Sequence, residues 1–63
     1  MMTPKQQTLY AIMENMGYSY GCIQTVVALL RSSREALDDM IVWIEDEQPD
    51  EQAVIAKLAD YLP

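Results

Sequence analysis

Histidine is absent from this 63-residue chain, cysteine occurs once, at Cys22, and only four residues are basic. Each shortage removes a chemistry. Without the side chain whose unperturbed pKa lies near neutrality, general acid–base catalysis needs a strongly shifted carboxylate, lysine or tyrosine, and no pattern here points to one. A lone thiol cannot close an internal disulfide, and without histidine it cannot help assemble a Cys/His zinc site. Cys22 falls near a helix N-terminus, where a thiolate is stabilised, but no imidazole is present to activate it. The expectation is a small buried side chain beside Val26. No catalytic residue, cofactor or metal is expected.

Ten acidic residues against four basic ones give a net charge of −6. Phosphate backbones and anionic lipid surfaces are therefore disfavoured as partners, and a basic or uncharged protein fits better. No run approaches the roughly 18 uninterrupted apolar residues of a membrane span. The opening "MMTPKQQ" has no charged region followed by an apolar one, so no signal peptide is expected. A free thiol without disulfides fits a soluble protein in a reducing cytoplasm.

Hydrophobic residues make up 51% of the chain and charged ones 22%, a globular balance in a length that holds one domain at most. Four helices read along it. Thr3 is a plausible N-cap, with Pro4 at the first helical position and Gln6 placed for a capping box. Leu9, Ile12, Met13 and Met16 follow at spacings of three and four, and Gly17 closes the helix. Ser19 can open a second helix, in which Cys22, Ile23, Val26, Val27, Leu29 and Leu30 share an arc of roughly 160° at about 100° per residue. The narrow polar face holds Gln24, Thr25 and Arg31. Its β-branched residues raise the alternative of a buried strand, but the periodicity and the helical neighbours decide for a helix.

In the third segment Ser32 is the expected N-cap, with Glu35 completing a second capping box. Ala36, Leu37, Met40, Ile41, Trp43 and Ile44 share one face; Arg34, Glu35, Asp38, Asp39, Glu45 and Asp46 share the other. Pro49 breaks the pattern and can itself occupy the first turn of a fourth helix. There Val54, Ile55, Leu58, Tyr61 and Leu62 fall on one face, and Asp50 and Glu51 complement the N-terminal dipole. The expected fold is an all-α compact bundle of three to four short helices, with short connections that make neighbours antiparallel or sharply angled.

Two places stand out as partner sites. The first is "NMGYSYGC", which contains both glycines and two large tyrosine rings, Tyr18 and Tyr20, at a tight turn where smaller polar residues would serve. The second is helix three. Seven of the ten acids lie between Asp38 and Glu51, with an eighth at Glu35. Neither the alternating oxygen ligands nor the central glycine of a calcium loop is present, so the bland reading is a solvated face. Glu45, Asp46 and Glu47, however, oppose the dipole at the helix C-terminus. Val42 sits in the middle of this face, between Glu35, Asp38 and Asp46, an apolar centre ringed by acids.

The run "LYAIMENMGYS", followed by a helix, a polar turn and "ALDDMIVWI", resembles the ubiquitin-associated (UBA) family of three-helix domains. The resemblance implies that Met16, Gly17 and Tyr18 in the first loop, with Trp43 and Ile44 at the end of helix three, form a patch for the apolar face of ubiquitin.

The expected function is that of a small acidic helical protein–protein interaction module without catalytic activity. Its candidate partner-binding residues are Met16, Gly17, Tyr18, Tyr20, Val42 and Trp43, and its partner is another protein or a second copy of itself. A chain this small, with neither disulfide nor metal, gains from burying apolar surface in a homodimer. The alternative is an acidic inhibitor that mimics nucleic acid and blocks a basic surface on a target.

Overall fold

The computed structural model describes residues 2–61 and contains four α-helices: α1 (Pro4–Asn15), α2 (Tyr20–Leu30), α3 (Arg34–Glu47) and α4 (Glu51–Leu58). A single 3-10 turn, Ala59–Tyr61, follows α4. The all-α bundle expected from the periodicity is what forms. Its radius of gyration is 10.4 Å, against the roughly 10.6 Å that scaling with chain length gives for a compact domain.

Local chemistry explains most of the boundaries. Thr3 and Gln6 form the reciprocal capping box: the Thr3 hydroxyl accepts from the Gln6 amide, and the Gln6 side chain accepts from the Thr3 amide. The far end of α1 is a Schellman closure. Gly17, at φ 90°, sends its N–H to the Glu14 carbonyl, and Tyr18 sends its N–H to the Met13 carbonyl. Ser19 caps α2 by accepting from the Cys22 amide at 3.2 Å.

Two expected boundaries are corrected. Ser33, not Ser32, caps α3, its hydroxyl accepting from the Ala36 amide. The cause is Arg31, which ends α2 at φ 54° and ψ −133°, so that the chain needs one more residue before it turns back into a helix. Glu35 stays in the first turn, where it complements the dipole, but it is no longer at the capping-box position. At the second boundary Asp50 is the N-cap of α4, accepting from the Ala53 amide at 2.8 Å, and Pro49 precedes the helix. Pro49 disfavours right-handed geometry at Gln48, which closes α3 at φ 48° instead.

Every helix contributes a stripe to one core. Leu9 and Met13 come from α1, Cys22, Ile23, Val26, Val27 and Leu30 from α2, Leu37, Met40 and Ile44 from α3, and Val54 and Leu58 from α4. The α1 helix lies against α2 and α3, while α4 lies against α2. Cys22 is buried on the central stripe, as its position beside Val26 implied. Ile55 departs from expectation, being 47% exposed. An eight-residue helix packing along one seam fills it with Val54 and Leu58, and Ile55, about 100° around from Val54, faces away. Met16 leaves the core for the same kind of reason, since it is the C-cap of α1. Leu62, expected on the face of the fourth helix, lies outside the described residues.

Candidate functional site

The "NMGYSYGC" turn is pinned to the α3–α4 joint by two side chains. The Tyr18 hydroxyl donates to the Pro49 carbonyl oxygen. Glu51 receives both donors of Ser19: its Oε2 accepts the backbone N–H at 2.6 Å, and its Oε1 accepts the hydroxyl at 3.0 Å. This carboxylate sits in the first turn of α4 and against the N-cap of α2, so the positive ends of two helices share it. Burial, then Cys22, Asp50 and Glu51, raise the Tyr18 pKa above that of an ordinary phenol. Burial and Glu51 raise the Cys22 thiol in the same direction. Both groups are thereby kept protonated, which disfavours a thiolate nucleophile at neutral pH.

A shallow groove between the joints is lined by Met16, Gly17 and Tyr18 on one side and by Gln48, Pro49 and Asp50 on the other. Tyr18 is half-buried with its hydroxyl engaged, whereas Tyr20 is 69% exposed and lies outside this groove.

The second groove, of about 550 Å³, runs between α3 and the end of α4. On α3, Asp39, Val42, Trp43 and Asp46 follow one another at i, i+3, i+4 and i+7, the spacing that places them in one row. Lys57 and Tyr61 face them from the α4 side, and Glu47 lies at the end. The Lys57 ammonium stands 5.0 Å from the centroid of the Trp43 ring, within the range of a cation–π contact. Burial, then Asp39 and Asp60, raise the Tyr61 pKa, a sign of the negative potential here.

Val42 and Trp43 are therefore brought together, with an acidic rim around them. Met16, Gly17 and Tyr18 line the other groove, and Ile44, the second member of the apolar pair at the end of α3, is 0% exposed. Lys57, Tyr61, Pro49 and Glu51 were not among the candidates. Only Lys57 carried a sequence signal, as the one basic residue after Arg34. Among the described residues, no group of three metal-ligating side chains converges, and no helix is long and apolar enough to cross a membrane.

Comparison with protein-family models, with curated proteins and with solved structures returns no match for this chain.

Proposed function

We propose that this chain is a protein–protein interaction module without catalytic activity, and that the α3–α4 groove is its contact surface. The observation that carries the reading is Val42, 57% exposed beside the partly exposed ring of Trp43 and flanked by Asp39 and Asp46. An apolar centre inside a charged rim has the anatomy of a recognition patch, in which the centre supplies energy and the rim supplies orientation. The acids at the C-terminus of α3 support it. Asp46 and Glu47 oppose the helix dipole, and a fold that accepts such a local penalty commonly does so at a functional surface.

An acidic mimic of nucleic acid is the weaker reading, because a phosphate-like surface would present carboxylates without an indole and a valine at their centre. A second copy as the occupant follows from the small size of the chain. The like charges of two chains at −6 weigh against it. The buried single thiol fits a reducing cytoplasm as the place of action.

The test is affinity capture from the native host's lysate with wild-type, Val42→Arg and Ile55→Arg baits. Ile55 is similarly exposed on another face, so loss of a captured protein with Val42→Arg and its retention with Ile55→Arg supports the groove. Equal capture by all three baits removes the proposal.

A further inference from the structure

The groove already contains a cation, and that cation comes from the chain itself. Lys57 lies over the Trp43 ring, while three carboxylates, Asp39, Asp46 and Glu47, line the same groove. One ammonium against three carboxylates leaves the groove negative. An ammonium meets the indole face only as a point charge, whereas a guanidinium also stacks flat on an aromatic ring and binds carboxylates through two parallel hydrogen bonds. Alongside the ring, Val42 offers apolar surface to a neighbouring aliphatic side chain.

We infer that the α3–α4 groove receives an arginine-bearing segment of a partner protein, whose guanidinium replaces Lys57 over Trp43 while an adjacent apolar residue covers Val42. This inference rests on the proposed contact surface and adds the chemistry of its occupant. Lys57 then acts as an internal placeholder. It holds the ring in the free protein and swings away on binding, so partners without a competing cation are refused. Complementary charge sets the partner's orientation and association rate, and ionic strength weakens both.

The probe is a short capped peptide alternating leucine and arginine, compared with the same peptide carrying citrulline, which keeps the shape of arginine and removes its charge. Trp43 is the single tryptophan, so its fluorescence reports the site alone. The arginine peptide is expected to change that signal saturably, and citrulline to weaken binding by at least about tenfold. The ε-methylene protons of Lys57, next to an ammonium that stands over the Trp43 ring, should resonate upfield of ordinary lysine values in the free protein and move towards those values in the complex. Lys57→Met should tighten binding severalfold. Asp46→Asn and Glu47→Gln should weaken binding while raising the melting temperature, because each removes a charge that opposes the α3 dipole. A variant that is more stable and binds less cannot owe its loss to misfolding.

Citrulline binding as well as arginine would overturn the cationic occupant and leave the contact surface standing. So would a Val42-dependent capture with no response to either peptide. Concentration-dependent sedimentation abolished by Val42→Arg would assign the groove to a second copy, against the inference. Absence of peptide binding together with capture indifferent to Val42→Arg would remove both the occupant and the surface.

Discussion

The Tyr18 hydroxyl donates to the Pro49 carbonyl across 31 residues of sequence, and it does so from the residue that completes the Schellman closure of α1. One tyrosine thus finishes a helix end with its backbone and latches a second helix joint with its side chain. Ser19 and Glu51 make the adjoining latch. Tyr18→Phe should keep the ring packing and lose one hydrogen bond, costing about 0.5–1.5 kcal/mol. In a domain of this size that corresponds to a fall in melting temperature of roughly 4–8 °C per kcal/mol. A melting temperature unchanged from wild type would show that water replaces the bond without loss.

Alkaline pH tests the same latch independently. Burial is the main cause of the raised pKa values of Tyr18 and Tyr61, above the ordinary 10.0, and of Cys22, above 9.0. The folded chain holds these protons more tightly than the unfolded one. Their contribution is therefore fully present below the ordinary values and is lost as pH rises through the folded ones. Urea midpoints should fall from about pH 9 upward, and Tyr18→Phe should flatten that decline. A wild-type midpoint that does not move between neutral and strongly alkaline pH contradicts the assignment.

Arg31 and Gln48 both hold positive φ, at 54° and 48°, where side chains bearing a Cβ are strained. The strain at such a position is of order 1–3 kcal/mol, part of which glycine recovers after its own entropic cost. Arg31→Gly and Gln48→Gly should each stabilise by about 0.5–1 kcal/mol in chemical denaturation. Arg31 keeps its geometry because its carbonyl accepts from the Gln6 side-chain amide at 2.5 Å. Destabilisation by Arg31→Gly would mean that the arginine side chain contributes more than its backbone costs.

Cys22 is 6% exposed with its thiol held protonated. Its reaction with an aromatic disulfide reagent at neutral pH should be at least about a hundredfold slower in the folded protein than in denaturant. Comparable rates would place the thiol at the surface and reopen a chemical role for it.

The parts of the fold that could be read from sequence were those decided within one helical turn. Thr3 with Gln6, Ser19 with the Cys22 amide, and Gly17 as the closing residue all act on near neighbours, and the exposure of Val42 follows from its angle among Glu35, Asp38 and Asp46. What escaped was set by distant groups. Ser33 displaced Ser32 because the turn at Arg31 takes an extra residue, and Gln6, 25 positions away, braces that turn. Ile55 left the core because Val54 and Leu58 fill the buried side of α4 and Ile55 lies about 100° around from Val54. The site divides in the same way. Val42 and Trp43 were legible on α3, but Lys57 and Tyr61 reach them only through the packing of α4, and Tyr18 meets Pro49 only once both joints have formed.

The polar staples are unevenly placed, and this bears on how the molecule opens. Gln6 secures the N-terminal end of α1 to the α2–α3 turn, and the Tyr18 and Glu51 latches secure its other end. Beyond Ala53, among the described residues, no side-chain hydrogen bond ties α4 or the 3-10 turn to another helix, and that segment is held by the apolar packing of Val54, Leu58 and Tyr61 and by the Lys57 contact with Trp43. Amide hydrogen exchange should accordingly be graded, slowest in α1 and α2 and fastest through Lys57–Tyr61, which would open without the rest of the bundle. The wall of the groove that contributes Lys57 and Tyr61 belongs to this least protected unit. The groove proposed as the contact surface thus has one fixed side, on α3, and one that can move at little cost to the core.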